Sequence, residues 1–244
     1  MKGDLLCVNG KAVSPSDAGI DFDRLLSCNF VYQKMHVAGH RPLQAAAHAD
    51  IIDTAYKTLY GKPAGISGTL LEKEVAILMK ENRYPMSGNL TILYLIPPEK
   101  PDEEPVRVLS CEKQFIYRGY TMRQSGLRAI IVPYEYPFAP FRTAVSLAAH
   151  TYADDYARRK GADVSIAENY AGIMTGMGEN PLYAVVGNRI YTTPIDDGAA
   201  DSMERMLCQA ACEKAWVELI EEPLKKESLD SYEELFAVTP EGIV

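Results

Sequence analysis

Residues 182–194 have the sequence LYAVVGNRIYTTP, in which two short apolar stretches flank Gly187-Asn188. A two-residue turn of this kind between apolar runs predicts a β-hairpin. Further short strands are predicted upstream at residues 164–167 and 172–175, and a final strand downstream at residues 234–238. The C-terminal half is therefore expected to be rich in β-structure.

Two helices are predicted beside these strands. The first covers residues 143–160 and ends at Gly161, a residue that suits the left-handed backbone after a helix. The second begins where Asp201 and Glu204 are expected to cap its N-terminus. The predicted buried face of the first helix consists of Val145, Ala148, Ala149, Tyr152 and Tyr156. The apolar residues that trace the second helix are Met203, Met206, Leu207, Ala210, Ala211 and Val217, with Cys208 and Cys212 on a buried stripe.

The N-terminal half is predicted to combine a sheet with two helices. Asn9-Gly10 between apolar runs indicates an opening hairpin, and Thr69 with Glu72 is expected to form a capping box that starts the second of the helices. A proline-rich, charged loop at residues 97–105 separates two strands. The remaining predicted elements are strands at residues 30–37, 89–96 and 106–111 and a helix at residues 43–59 that carries His48.

A crossing between two domains is predicted at residues 114–124. Beyond it, residues 127–132 form an apolar run typical of a buried strand. The expected domains are an α/β domain at residues 1–118 and a β-rich α/β domain at residues 119–244.

Composition excludes several classes of function. The chain has 244 residues, and 47% of them are hydrophobic, which suffices for a substantial core. Its 33 acidic and 25 basic residues give a net charge of -8, which argues against nucleic acid as a partner. Without a signal peptide or a membrane-length apolar run, we expect a cytoplasmic protein with no membrane partner. Five cysteines without a CxxC pair predict free thiols, and the spacing of His36, His40 and His48 predicts no metal site.

Several short motifs follow one another along the whole chain. They are Val8-Asn9-Gly10-Lys11, Asp23-Arg24, His48, Gly161-Ala162-Asp163, Tyr183, Tyr191-Thr192-Thr193-Pro194, Gly198, Arg205 and Glu234-Leu235-Phe236. In their order and spacing, the chain resembles the class IV (fold type IV) aminotransferases, which include branched-chain and D-amino acid aminotransferases and aminodeoxychorismate lyases. The resemblance implies a two-domain α/β (α+β) architecture of the D-amino acid aminotransferase type, a cleft between the domains and a homodimer.

The residue that such an enzyme needs most is not found at its expected position. These enzymes bind pyridoxal phosphate (PLP) through a Schiff base to one lysine, because the imine acidifies the α-proton of the substrate. Counting back from Gly161 by the family's spacing gives Thr143, or Arg142 if the alignment shifts by one residue. Arginine stays protonated and threonine has no amine, so neither residue forms the imine.

Two further contacts of the cofactor also depart from the family pattern. Gly176 stands where the resemblance implies a glutamate for the ring nitrogen, with Glu179 as an alternative three residues later. For the phosphate, the resemblance implies an arginine where this chain has Ile51. It also implies a threonine and free backbone N–H groups at the start of a late helix, where this chain has Ser202-Met203-Glu204. Acidic groups at that helix end would repel a phosphate.

The resemblance therefore predicts a pseudoenzyme that has lost the PLP lysine and the phosphate site, binds no cofactor, and keeps a cleft for a small ligand. The candidate cleft residues are Arg142, Thr143, Thr175, Gly176, Met177 and Ser202, and a carboxylate contact from Arg118, Arg128 or Arg142 stays open. The alternative is an active PLP-dependent transaminase or aminodeoxychorismate-type lyase that uses Lys34 or Lys113. A third possibility is a protein that binds a partner chain through an exposed apolar patch.

Overall fold

The computed structural model describes residues 4–100, 102–115 and 126–244. The chain divides into two compact units, residues 1–120 and 121–244, and both mix helices with sheets, as the sequence predicts for the fold class. The expected boundary between residues 118 and 119 lies outside the described residues. No described helix has the length and apolar character that crossing a membrane requires.

The N-terminal unit is built on a six-stranded antiparallel sheet with the strand order β2-β1-β6-β5-β3-β4. Helices α2 and α3 pack against this sheet and against each other. The strands are β1 (Leu6–Val8), β2 (Lys11–Val13), β3 (Val31–Ala38), β4 (Arg41–Pro42), β5 (Gly88–Ile96) and β6 (Val106–Phe115). The helices are α1 (Phe22–Ser27), α2 (Ala45–Tyr60) and α3 (Gly68–Glu81).

The opening hairpin is confirmed. Leu6 pairs with Val13 across a turn at Asn9-Gly10, and both turn residues have positive φ angles, 47° and 79°. Asn and Gly tolerate this backbone better than other residues, which is why the dipeptide predicts the turn.

The predicted start of α3 is wrong by two residues. The N-cap is Ser67, whose hydroxyl accepts a hydrogen bond from the Leu70 N–H at 3.2 Å, so Thr69 and Glu72 do not form the capping box. The earlier start places Gly68 against α2, where a Cβ atom would lie 2.8 Å from the Ala46 nitrogen. Glycine at this position allows the two helices to approach closely.

The C-terminal unit contains two sheets and two longer helices. One sheet has the order β7-β8-β9 and the other the order β12-β11-β10-β13-β14. The strands are β7 (Ala129–Pro133), β8 (Val164–Glu168), β9 (Met174–Met177), β10 (Leu182–Val186), β11 (Arg189–Thr192), β12 (Glu218–Glu221), β13 (Glu234–Thr239) and β14 (Gly242–Ile243), and the helices are α4 (Ala144–Arg159) and α5 (Met203–Ala215).

Several strand predictions in this unit need correction. The strand expected at residues 172–175 is β9, which begins at Met174, and β12 and β14 were not predicted. β12 gains its strand character from parallel pairing with β11, a distant partner that local sequence does not reveal. The strand expected to be buried at residues 127–132 is β7, which is half-exposed at the edge of its sheet.

The buried face of α4 is not the predicted one. Val145, Tyr152 and Tyr156 are exposed, and the helix instead buries Ser146, His150, Ala153 and Ala157. Periodicity points to the wrong face because two of the buried positions are polar and satisfied by hydrogen bonds. Helix α5 likewise exposes Met206 and Leu207 and ends before Val217, whereas its predicted cysteine stripe, Cys208 and Cys212, is buried.

Candidate active site

Arg142 lies at the centre of a buried ionic cluster in the C-terminal unit. It immediately precedes Thr143, the N-cap of α4, and its side chain is only 1% exposed. Its Nη2 donates a hydrogen bond to Oε2 of Glu204 at 2.9 Å, and its Nε lies 3.4 Å from Oε2 of Glu179. The same Nη2 also approaches the backbone oxygen of Glu179 at 3.4 Å. Two carboxylates therefore hold one guanidinium away from solvent, and we call these three side chains the Arg142 cluster.

Thr143 has a structural role beside this arginine. Its hydroxyl accepts from the Ser146 N–H at 3.2 Å, and the Ser146 hydroxyl accepts from the Thr143 N–H at 2.8 Å. This reciprocal capping box satisfies two donors at the start of α4. It also fixes the backbone from which Arg142 projects, since the two residues are adjacent.

Glu204 reaches the cluster from the first turn of α5, which corrects the predicted cap of that helix. The N-cap is Ser202, whose hydroxyl accepts from the Arg205 N–H at 3.3 Å. The carboxylate of Glu204 points to Arg142 rather than to the helix end, and Asp201 precedes the cap. Burial raises the pKa of Asp201, with Arg205 opposing that shift. The expected capping by Asp201 and Glu204 is therefore wrong, although both acids lie near this helix terminus.

Gly176 lies on β9, immediately before the turn that carries Glu179. A Cβ atom at this glycine would lie 2.8 Å from the backbone oxygen of Asn180 and 3.2 Å from that of Gly178. The turn is closed by two backbone hydrogen bonds between Met177 and Asn180, at 2.9 and 3.1 Å. A side chain at residue 176 would therefore collide with backbone that is itself hydrogen-bonded.

Some of the other residues predicted for the cleft lie near the Arg142 cluster, and others lie elsewhere in the fold. Met177 packs on the apolar core between the two sheets, and Thr175 faces Gly198, whose Cβ position is 3.4 Å from the Thr175 methyl carbon. Arg128 is an exposed residue that pairs with Asp163, and Arg118 lies outside the described residues. The sequence candidates that the structure brings together are thus Arg142, Gly176 and Ser202, through the turn at Glu179 and the first turn of α5.

A second buried arginine adjoins this region. Arg205 donates to the backbone oxygen of Thr193 at 2.9 Å and to the carboxylate of Glu221 at 2.6 Å. The Thr193 hydroxyl in turn donates to the backbone oxygen of Met174 at 2.7 Å. Arg205 therefore ties α5 to β12 and to the end of β11, and its charge is already matched by a carboxylate.

Sequence reasoning missed a hydrogen-bonded group of three rings. His150 on α4 lies between two tyrosines, with Nδ1 2.8 Å from the Tyr134 hydroxyl and Nε2 3.1 Å from the Tyr136 hydroxyl. Burial, reinforced by the carboxylate of Glu179, raises the pKa of Tyr136, while Arg142 opposes this shift. The aromatic residues between 134 and 141 are a local signal that could have pointed to this group, whereas His150, sixteen positions from Tyr134, has no such signal around it.

The residues predicted in the N-terminal unit have separate environments. Ile51 is half-buried on α2, and His48 on the same helix is buried. Lys34 on β3 lies 3.8 Å from Glu112, and Lys113 on β6 is exposed. Among residues 4–100, 102–115 and 126–244, no group of three His, Cys, Asp or Glu side chains is arranged to hold a metal ion.

No protein-family model matches the sequence, and no curated protein does. Solved structures do match. The branched-chain amino acid aminotransferase of Escherichia coli is 16% identical with a TM-score of 0.83, and the match covers 99% of this chain and 84% of that one. A putative 4-amino-4-deoxychorismate lyase of Legionella pneumophila is 19% identical with a TM-score of 0.75, over 92% of this chain and 85% of that one.

A third structure was determined with an amino acid. The branched-chain aminotransferase of the archaeon Thermoproteus uzoniensis with norvaline is 16% identical with a TM-score of 0.81, over 99% of this chain and 85% of that one. The chain therefore has the fold of class IV aminotransferases and aminodeoxychorismate lyases, as the sequence motifs predict. At these identities the likeness concerns the fold, so the chemistry must be argued from the residues of the site.

Proposed function

We propose that the chain is a class IV aminotransferase-like protein that has lost the lysine and the phosphate site for PLP and acts by binding a small molecule. The observation that carries this proposal is the Arg142 cluster. A guanidinium held at 2.9 and 3.4 Å by two carboxylates occupies one of the two positions that the family's spacing allows for the reactive lysine. Arginine remains protonated at every physiological pH, so this side chain is a fixed cation and not a nucleophile.

The geometry at Gly176 supports the same conclusion from a different contact. A glutamate at this position would have to place its Cβ within 2.8 Å of the Asn180 backbone oxygen. Because the obstacle is backbone, a carboxylate for the ring nitrogen does not fit unless the turn is rebuilt. Glu179, the alternative residue, is already engaged with Arg142.

Charge at the first turn of α5 disfavours a phosphate. Glu204 and Glu179 both place a carboxylate on the guanidinium of Arg142, which is therefore already engaged by protein groups. Arg205, the neighbouring cation, is paired with Glu221. A phosphate dianion brought to this helix end would approach the buried carboxylate of Glu204, and the repulsion between them costs far more than it would in water. The residues present therefore do not fit PLP, and we assign no catalytic step to it.

The test is addition of PLP, followed by borohydride reduction and peptide mapping by mass spectrometry. We expect no visible imine band in the wild-type protein and no phosphopyridoxyl group at a single lysine. The rival proposal, an active transaminase or lyase, predicts a band that Lys34→Arg or Lys113→Arg abolishes. Lys160→Arg, at the exposed end of α4, is the control for nonspecific labelling of surface lysines.

Arg142→Lys separates the loss of the lysine from the loss of the other contacts. We expect this variant to form no imine either, because Glu179 and Glu204 would hold the new amine as an ammonium ion. A stable band in Arg142→Lys would mean that the phosphate and ring contacts survive, which contradicts the proposed loss of the phosphate site.

Homodimerisation and ligand binding complete the proposal. Sedimentation velocity on the full chain measures the oligomeric state, and a monomer at micromolar concentration would refute homodimerisation.

A thermal-shift screen of amino acids and 2-oxo acids measures ligand binding. We expect stabilisation by at least one such compound without amino-group transfer, since the fold neighbours include an aminotransferase determined with norvaline.

A further inference from the structure

A surface pocket of about 500 Å³ lies in the N-terminal unit, where three segments meet. The segments are the residues after α1, the C-terminal end of α2 with the residues that follow it, and the turn after β5. The lining side chains are Cys28, Asn29, Tyr56, Tyr60, Lys62 and the Pro97-Pro98-Glu99 turn. Pockets of this volume hold molecules of roughly drug size or smaller.

The inner wall of the pocket is aromatic and uncharged. The rings of Tyr56 and Tyr60 lie 4.6 Å apart between centroids with an angle of 37° between their planes. Burial raises the pKa of Tyr60 to about 12 and also raises the pKa values of Tyr56 and Cys28. All three groups are therefore protonated and neutral at physiological pH. A wall of this kind favours a flat, uncharged occupant.

The charged residues at the rim are already engaged. Lys62 donates from Nζ to the backbone oxygen of Glu103 at 2.7 Å. Arg24 donates to the backbone oxygen of Pro97 and lies 3.9 Å from the carboxylate of Glu99. Since each cation has a carbonyl or carboxylate partner, the rim does not select strongly for a charged ligand.

Two residues that line the pocket each contain a buried polar atom with no hydrogen-bond partner within the described part of the chain. The atoms are the hydroxyl oxygen of Tyr56, a residue that is fully buried, and the side-chain oxygen of Asn29. The neighbouring Tyr60 hydroxyl, by contrast, donates to the backbone oxygen of Asn29, and the Cys28 thiol donates to that of Leu25 at 3.7 Å. Buried polar atoms are normally bonded, so the two exceptions in one pocket require a cause.

We propose that this pocket binds a small, uncharged aromatic compound whose hydrogen-bonding group satisfies Tyr56 and Asn29. The aromatic part packs on the ring of Tyr60, the partly exposed tyrosine of the wall, and on the prolines. A hydroxyl or carboxamide then supplies a donor for the Asn29 oxygen and a partner for the Tyr56 hydroxyl. Both atoms are closed to bulk solvent, so side chains of the wall must shift when the compound enters, as is common on binding. This site is independent of the Arg142 cluster and of the fate of PLP.

The probes are benzamide and toluene, which share the ring and differ in the polar group. Binding is measured on the full chain by NMR, from the amide shifts of Asn29 and Tyr60. We expect benzamide to bind more tightly than toluene, and Tyr56→Phe to weaken benzamide about fivefold, the effect of one net hydrogen bond, while toluene changes less than about twofold. Tyr170→Phe, at an 81% exposed tyrosine of the other unit, is the control and should alter neither affinity.

Tyr56→Phe is also expected to fold, since it removes a hydroxyl that has no protein partner among the described residues, and its unfolding midpoint should equal or exceed that of the wild type. A lower midpoint would mean that ordered water already bonds the hydroxyl, which overturns the proposal. Absence of benzamide shifts at Asn29 and Tyr60, or equal losses for both probes, overturns it as well.

Discussion

Each unit of the protein pairs an arginine with buried carboxylate, but the number of carboxylates around the arginine differs. In the N-terminal unit, Arg107 on β6 donates from Nε and Nη2 to one oxygen of Glu74 on α3, at 3.0 and 2.9 Å. In the C-terminal unit, Arg142 meets Glu179 and Glu204. The first arrangement joins one arginine to one carboxylate, whereas in the second, within the described part of the chain, one arginine is shared by two carboxylates.

The two arrangements also differ in how far water reaches them. The Glu74–Arg107 pair joins a helix to the sheet, and its arginine keeps 17% exposure of the side chain. The Arg142 cluster is drier, with side-chain exposures of 1%, 5% and 12%, so its electrostatic interactions are screened less by water. The guanidinium of Arg142 is shared by two acids, so it is engaged by protein groups.

Arg142→Leu should have the largest effect on stability. Removing the guanidinium leaves two buried carboxylates without their counter-charge, and we expect the free energy of unfolding to fall by about 3–5 kcal/mol. Urea denaturation, followed by circular dichroism, measures this value. A loss below about 1 kcal/mol would show that water enters the cluster freely, and would remove the contrast with the other unit.

The matched control for that variant replaces all three side chains together. Arg142→Leu combined with Glu179→Gln and Glu204→Leu removes the charges along with the cation. We expect most of the lost stability to return, because a buried ionic group can often be replaced by apolar residues of similar volume without net cost. Persistence of the full loss would assign the effect of Arg142→Leu to packing.

Arg107→Leu tests the Glu74–Arg107 pair and should cost less, about 2–3 kcal/mol, because its partner is a single carboxylate and water reaches the arginine. The same urea titration gives the value. Arg189→Leu is the exposed control, since the Arg189–Glu218 pair is more than half exposed on both sides and should contribute less than about 1 kcal/mol. Equal losses for Arg107→Leu and Arg142→Leu would contradict the distinction between the two arrangements.

Local patterns in the sequence predicted most of the elements but not all of their surfaces. The Asn9-Gly10 turn and the helix ending at Gly161 follow from backbone preferences of those residues, which act over a few positions. The buried face of α4 does not follow from such local preferences. His150 is buried because its ring nitrogens form hydrogen bonds with the hydroxyl groups of Tyr134 and Tyr136. Hydrophobic periodicity counts such a residue as solvent-facing, whereas its hydrogen bonds place it inside.

The candidate site was predicted by position and not by contact. Spacing from Gly161 gave Thr143 or Arg142 as the departure from the family's lysine, and the family pattern gave Gly176 as the departure from its glutamate. A capping argument assigned Glu204 to the helix end instead of to this site. The observed hydrogen bond from Arg142 to Glu204 joins residues 62 positions apart, and no local rule predicts it. The Tyr56 hydroxyl and the Asn29 side-chain oxygen, which have no partner among the described residues, were missed for the same reason. An unmet hydrogen bond is a property of the folded chain.

Gly176→Ala tests whether the turn between Met177 and Asn180 can move to accommodate a side chain at residue 176. The added Cβ atom meets backbone oxygens at 2.8 and 3.2 Å, so we expect a loss of about 1–3 kcal/mol from overpacking. Gly126→Ala is the control, because no atom of the described residues lies within 4 Å of its Cβ position. Thermal unfolding compares the two variants. Equal midpoints would mean that the turn moves aside, which would also leave room for a carboxylate at residue 176.

Asp201→Asn should have the smallest effect and the opposite sign. Burial raises the pKa of Asp201 in the folded protein, so the stabilising protonated form is fully present below the unfolded pKa and is lost as the pH rises through the folded value. At pH 7 the ionised acid adds to the negative charge near α5, and the neutral amide should increase stability by less than about 1 kcal/mol. Urea denaturation from pH 7 to pH 3 should show this gain shrinking as the wild-type carboxyl takes up its proton. A gain that stays constant with pH would have to come from hydrogen bonding by the amide, and charge at this helix end would then carry no part of the contrast between the units.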